Sequence, residues 1–568
     1  MDTFCHKQFV AVILPLCCLF TPTTAMSDQA NTERAEKFVS DHVERLRPLE
    51  IAAGEAWWNA NVTGKDEAFA KKAEIENKID AQLSNPQHFA AIKAIKTAGG
   101  IDNPVLGRSI DVLYLAYLEK QVAPELLAQM VAKSNTVDKA FNGFRANVSG
   151  KRLTENEVRD ILRKSTDSAE RQAVWEAGKA VGGALEKDLR ELVALRNQAA
   201  VKLGFKNYHA MQLYLNEQDG DALIKLFDQL DELTRGPFIE AEQAIDERLA
   251  KNCNIGISEL MPWHYHDPFF QETPAVFTAD LDGPFAKADL LKLTRDFYAG
   301  IGLPVDDVLA RSDLFDKAGK NPHAFCTDID RAGDVRVLCN IVNNVYWAST
   351  MLHEFGHAVY SSKNIPQSVP YVLRREAHIL TTEGVAMMFE RLVRRRAWLE
   401  KMELKLDDPA GFADAGEKSI RYHLLIFSRW CQIMLRFEKS MYENPDQDLA
   451  KLWWDLVEKY QLVRRPAGRN APDYASKIHI VSAPVYYHNY MMGELFASQL
   501  HHAIARDVYQ GADPRTVTYV GNKAVGEFMR KRVFEPGRSV GWNELTRQAT
   551  GGDLTPQAFA ADFESPKK

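Results

Sequence analysis

The sequence predicts a mainly α-helical fold. Three observations carry that expectation. Long stretches repeat apolar residues at three- and four-residue spacing with few glycines. Regular alternation is scarce, and a single hairpin is the best strand candidate. The segment Asn252 to Pro284, rich in prolines, aspartates and aromatics, interrupts the helical rhythm and fits a crossover between two lobes.

In chain order, the first element is an apolar run, Phe9 to Phe20, preceded by Lys7 and followed by Thr23-Thr24-Ala25. This pattern fits a secretory signal over 1–25, leaving 26–568 as one domain. It predicts a secreted or periplasmic protein. The run is too short to cross a membrane, and no later segment is long and apolar enough. Helices are expected over Ala68–Leu83, Val158–Ala180, Leu185–Leu203, Leu223–Ala250 and Ala386–Leu406. The hairpin runs from His323 to Cys339 and turns at Ala332-Gly333. Folded there, it sets Cys326 opposite Cys339, and either a disulfide or two buried thiols would fit an exported protein. Asn61-Val-Thr and Asn147-Val-Ser match the glycosylation triplet.

Composition excludes some functions. The 568 residues are 46% hydrophobic and 26% charged, ordinary for a globular chain with a sizeable core. The net charge of −7, with no basic run interleaved with aromatics, speaks against a nucleic-acid partner.

The chemistry concentrates in Trp347-Ala-Ser-Thr-Met-Leu-His353-Glu354-Phe-Gly-His357-Ala-Val-Tyr360. On a helix, residues four apart share a face, so both imidazoles can reach one Zn2+. Glu354, beside the first ligand, can act as general base. Catalytic zinc takes three protein ligands and keeps one position open. Glu376, His378, Glu383 and Glu390 are the nearby candidates for the third. Glu383 is favoured, because it stands in the apolar run Ile379-Leu-Thr-Thr-Glu383-Gly-Val-Ala-Met-Met-Phe389, where an unpaired carboxylate is costly. An ion pair with Arg375 is the alternative reading of Glu383. Glu390, next to Arg391 and Arg394-Arg395-Arg396, reads as a surface ion-pair residue. The cluster Lys477 to Tyr490 reads, by itself, as an amphipathic helix with buried tyrosines.

Several stretches, in order, resemble the angiotensin-converting-enzyme family of zinc peptidyl-dipeptidases, members of the gluzincin clan. They are Trp57-Trp58-Asn-Ala-Asn61-Val-Thr, Arg196 to Phe205, the zinc motif, Trp453-Trp454 with Lys459-Tyr460-Gln461, Lys477-Ile-His479, and a stretch ending at His501. The resemblance implies a two-lobed helical zincin-type peptidase with a deep central cleft. It implies release of dipeptides from the free C-termini of short peptides. By position, it makes His353, His357 and Glu383 the ligands of one Zn2+ and Glu354 the base. His479 and Tyr490 would stabilise the oxyanion, Lys477 and Tyr487 would hold the terminal carboxylate, and His323 and Ala324 would bind substrate backbone. A family glutamine at the carboxylate site is replaced by Tyr265. Asn489 stands where an arginine would bind chloride, which speaks against chloride activation. Met387 replaces an aspartate that supports a zinc ligand. The loop between His357 and Glu383 is longer than in the family.

Two alternatives stay open. One is an oligopeptidase similar to the thimet-oligopeptidase family, which cuts inside short peptides. The other is a catalytically silent peptide-binding relative; the intact ligand set and base argue against it. The sequence leaves the oligomeric state undetermined.

Overall fold

The computed structural model describes residues 23–274 and 280–564. The expected leader, residues 1–25, lies outside the described residues apart from the first turn of a long helix, α1 (Thr23–Thr63). Helix dominates, as expected. The described strands form two separate antiparallel pairs, β1 (Ala146–Val148) with β2 (Lys151–Leu153), and β3 (Phe325–Asp328) with β4 (Val335–Leu338). No described helix is long and apolar enough to cross a membrane.

The expected helices at Ala68–Leu83 and Leu223–Ala250 are present as α2 (Asp66–Leu83) and α5 (Gly220–Cys253). The helix expected over Val158–Ala180 is two helices, α3 (Glu155–Lys164) and α4 (Ser168–Lys202). The break is chemical. Asp167 accepts from the backbone N–H groups of Ala169 and Glu170 and starts α4 as its N-cap. The second expected helix, Leu185–Leu203, is the remainder of α4.

Three helices place the centre of the molecule. They are α6 (Val345–Val359), α7 (Ile379–Glu390) and α9 (His488–Asp507), and α7 packs against both others. A fourth, α8 (Pro409–Glu443), contributes fully buried Trp430 and Phe437 to the same core. Glycines allow the close approach. A Cβ on Gly356 of α6 would sit 2.8 Å from the Ala386 Cα, and one on Gly384 of α7 would sit 2.7 Å from the Gly493 carbonyl oxygen. Gly356 adjoins His357, and its contact at Ala386 draws α6 against α7, which carries Glu383, while Gly384 seats α7 on α9. The expected helix Ala386–Leu406 ends at Glu390. A 3₁₀ turn over Arg391–Arg394 and a short helix, Arg396–Lys401, follow. There Arg391, Arg394 and Arg395 reach three different partners: Glu494, Ser349 Oγ and the Pro514 carbonyl.

The β3–β4 register differs from the expected one. Cys326 pairs with Val337 and Phe325 with Leu338, so Cys326 is not opposite Cys339, and both thiols are free. The turn decides this. Asp328 Oδ1 accepts from Arg331 N at 2.9 Å, and Asp330 Oδ1 accepts from Ala332 N and Asp334 N at 2.7 and 3.0 Å. These Asx contacts centre the turn one residue earlier than Ala332-Gly333, which moves every cross-strand partner by two.

Beyond the end of α5 at Cys253, the described residues 254–274 and 280–284 are irregular as expected, with short 3₁₀ turns at Ile257–Glu259, Pro262–His264 and Gly283–Phe285. Residues 260–270 are packed rather than surface-running. Trp263, Tyr265, Asp267 and Phe270 are buried, and Gln461 Nε2 donates to the carbonyls of Phe269 and Phe270.

Candidate metal centre and cleft

Asn344 opens α6 by accepting from Trp347 N, and His353 and His357 then project from one face of the helix. Their Nε2 atoms are 3.1 Å apart. Glu383 Oε2, from α7, lies 3.6 Å from His353 Nε2 and 3.9 Å from His357 Nε2. Among the described residues, these three alone gather as a group able to hold a metal ion. Bonds of about 2.0–2.1 Å in a tetrahedral zinc site put ligand atoms about 3.3 Å apart, so the triangle fits one Zn2+ with small adjustments.

The donor set fits as well. His353 Nδ1 lies 2.6 Å from Glu390 Oε2, and His357 Nδ1 lies 2.7 Å from Thr382 Oγ1. A carboxylate can only accept, so Nδ1 of His353 carries the proton and its Nε2 lone pair faces the triangle. Two Nε2 lone pairs and a carboxylate pointing at one spot call for a cation.

Glu390 therefore corrects a sequence expectation: it is not a surface ion-pair residue. It stands one helical turn beyond Met387 and meets His353 instead. The other candidates go elsewhere. His378 Nδ1 accepts from Leu380 N at the start of α7, and its Nε2 contacts the Asn216 carbonyl. Coulombic attraction to Glu376 raises the pKa of Arg375, so that arginine answers to Glu376.

Glu354 is buried, 7% exposed, and receives a hydrogen bond from the Cys326 backbone, which hangs β3 beside the motif. Burial pushes its carboxyl up to about 7. Two cavities of about 470 and 590 Å³ meet at Ala324, His353 and Glu354 and form one cleft across the motif. His323 and Ala324 line it just ahead of β3. Tyr490 lines the larger cavity with the three ligand residues.

Near the cleft is a second cluster. Lys477 Nζ donates to Gln271 Oε1 at 2.6 Å and lies 5.2–5.4 Å from the ring centroids of Trp430, Tyr487 and Phe269. Burial lowers the lysine to about 8. Tyr487 joins Tyr490, with centroids 5.4 Å apart, and His479, at 5.1 Å. His479 thus stands one ring behind the cavity wall, and its buried Nδ1 has no partner.

Tyr265 is not part of this cluster. It is buried, packs on Phe270 at 4.4 Å and donates to Asp246 at 2.9 Å. The side chain beside Lys477 is Gln271 instead. Asp267 turns the backbone there by accepting from Phe269, Gln271 and Glu272 N, and this delivers Gln271 to Lys477.

The comparisons with known proteins agree with this geometry. Residues 29–235 match the family Angiotensin-converting enzyme, and residues 309–565 match Peptidase family M3. The chain is 21% identical over 430 residues to an angiotensin-converting enzyme of Theromyzon tessulatum, an overlap covering 70% of this chain and 68% of that protein. These matches support a gluzincin-type peptidase, similar to the angiotensin-converting-enzyme family over its N-terminal part and to Peptidase family M3 over its C-terminal part. The chain is a zinc metallopeptidase.

Glu390, one helical turn beyond Met387, supplies the carboxylate that contacts His353. Asn489, where the family has an arginine, is buried and accepts from Gln218 Nε2 at 2.7 Å. Asn61 is equally committed: its Nδ2 donates to the Trp57 carbonyl and its Oδ1 accepts from Asn321, so this triplet cannot carry a glycan in the folded chain. Glu390→Gln is expected to lower zinc affinity about 10- to 100-fold, the usual cost of losing an outer-shell partner. Competition with a chelator of known affinity checks this, and unchanged affinity would leave Glu390 a packing role only.

Proposed function

We propose that the chain is a peptidyl-dipeptidase that releases dipeptides from the C-termini of short peptides. The observation that carries this reading is the Lys477–Gln271–Tyr487 cluster. Lys477 is a buried ammonium whose hydrogen-bond partner is a neutral amide. Such a group awaits an anion, and a peptide's terminal carboxylate is the anion that a dipeptide-releasing enzyme must find.

His353, His357 and Glu383 hold one Zn2+. Zinc bound there supplies a Lewis acid that brings water within reach of neutral-pH deprotonation and polarises the scissile carbonyl. Glu354 takes the proton from the attacking water and returns it to the leaving amine nitrogen. Tyr490 donates to the oxyanion from the wall of the larger cavity. His479, neutral because burial lowers it to about 4, packs behind Tyr487 and backs the ring pair that holds Tyr490. His323 and Ala324 offer backbone groups to the extended substrate beside β3.

The test is a pair of peptides identical except for a free or amidated C-terminus. Amidation, or Lys477→Met, is expected to lower kcat/KM by about 10²-fold, the scale for stripping one partner from a desolvated charged pair. Lys477 must be protonated to bind a carboxylate, so kcat/KM for the free acid should fall as pH rises through about 8, with the amidated peptide showing no such step. Equal cleavage of both peptides, with cuts inside the chain, would support a second reading. That reading is an oligopeptidase, favoured by the match of residues 309–565 to Peptidase family M3.

A further inference from the structure

The smaller arm of the cleft, about 470 Å³, holds a charge that the mechanism does not use. Besides the motif, the charged or titratable groups that line it are Glu390, Arg391, Arg394, His423 and Glu494, with His323 and Tyr346. Glu390 is engaged by His353. Glu494 is ion-paired with Arg391, which also lies 3.9 Å from Asp562. That leaves Arg394. Among the described residues no carboxylate lies within ion-pair distance of it, and its Nη1 donates to Ser349 Oγ at 3.2 Å. Its one hydrogen bond is to a neutral hydroxyl, although a guanidinium offers five N–H donors, and Glu390, engaged by His353, attracts it only from beyond ion-pair distance. His423 stacks on Phe427 with centroids 5.9 Å apart, and burial holds its pKa down, so it meets the cavity as a neutral ring.

The position of this arm ties it to the released part of the substrate. Phe427, one turn from His423, touches Tyr487 with centroids 6.1 Å apart, and Tyr487 flanks Lys477. Thr273 lines the same cavity, two residues beyond Gln271. The arm therefore lies between the catalytic motif and the group that takes the terminal carboxylate.

We propose that Arg394, with His423 and the Ser419 hydroxyl, forms a side-chain pocket that selects an acidic residue in the released dipeptide. The inference rests on the dipeptide reading above. A carboxylate entering the arm completes the ion pair that Arg394 lacks and accepts from donors on two helices. A neutral amide of the same size cannot do the first, and an apolar side chain can do neither. Sites built to pair a buried polar group reject the analogue that leaves it unpaired.

The experiment uses the full-length, zinc-loaded protein and free-acid peptides that differ only in the last two residues, with Glu, Gln, Leu or Lys at each. Products are identified by mass spectrometry. The Glu peptide is expected to exceed its Gln partner by at least about tenfold in kcat/KM at one of the two positions. Arg394→Gln should bring that ratio close to one, Arg394→Lys should keep part of it, and Arg394→Glu should shift preference toward Lys. Each ratio is taken within one preparation, so a lost folded fraction cancels. Competitive inhibition by Glu- and Gln-containing dipeptides reads the same pocket without turnover. Equal rates for Glu and Gln peptides, or a ratio that survives Arg394→Gln, would overturn the proposal. So would an Arg394-dependent gain from added chloride on Leu peptides, which would assign the guanidinium to a free anion. Products other than dipeptides would instead overturn the dipeptide reading, while the inhibition ratios would still report on the pocket.

Discussion

Glu354→Gln is expected to give a folded protein that still binds one zinc but turns over peptides about 10²- to 10⁴-fold more slowly, the contribution of a positioned general base. The substitution is close to isosteric, and the amide oxygen can keep the hydrogen bond from the Cys326 backbone. The change also removes one carboxylate from a buried site that crowds Glu354 with Glu383 and Glu390, so folding should not suffer. What it removes is the capacity to take a proton from water and return it to the amine. The expected signature is a fall in kcat with little change in KM, since the Lys477–Gln271–Tyr487 cluster that would take the substrate's carboxylate is untouched. Single-turnover kinetics together with zinc content by elemental analysis check this. A variant that kept more than about a tenth of the wild-type kcat would remove Glu354 from the base role, given what such a base supplies.

The grouping of His353, His357 and Glu383 was legible in the sequence for a physical reason. The two histidines and the base belong to one helical turn, where spacing dictates geometry, and Glu383 betrayed itself as a carboxylate in an apolar run. Glu390 was misread because its chain neighbours are arginines. In the fold those arginines leave: Arg391 goes to Glu494 and Arg394 to Ser349, and Glu390 turns to His353. Proximity along a chain is a poor guide to pairing where a helix ends, since each residue beyond the end can take its own direction.

The irregular segment shows the same limit. Nothing periodic in Pro262 to Glu272 says which side chain faces the cleft. The backbone hydrogen bonds to Asp267 select Gln271 and leave Tyr265 in the core. The hairpin register failed for a related reason: the Ala332-Gly333 pair drew attention, but the two aspartates before it set the turn. The break before α4 was legible, because Asp167 with Glu170 three residues on is an N-terminal signature that helical spacing alone overrode.

The second large effect expected is loss of the metal from Glu383→Gln. With one ligand of three weakened to a neutral amide, zinc affinity should fall by more than the roughly 10- to 100-fold that an outer-shell change costs. The consequence reaches stability. A ligand that binds the folded chain alone raises its melting temperature in proportion to RT ln(1 + [L]/Kd). Wild-type protein stripped by chelator should therefore gain thermal stability when zinc is restored, and Glu383→Gln should gain far less at the same zinc concentration. Calorimetry with and without zinc measures this independently of any substrate. The comparison of three glutamine variants separates roles that one activity assay would merge. Glu354→Gln should keep the zinc-dependent stabilisation and lose turnover. Glu390→Gln should keep part of both, because His353 remains but its tautomer is no longer held by a carboxylate 2.6 Å away. Glu383→Gln should lose both. A Glu383→Gln protein stabilised by zinc as fully as the wild type would place the third ligand elsewhere, and Glu376, which also lines the larger cavity, would be the next carboxylate to replace.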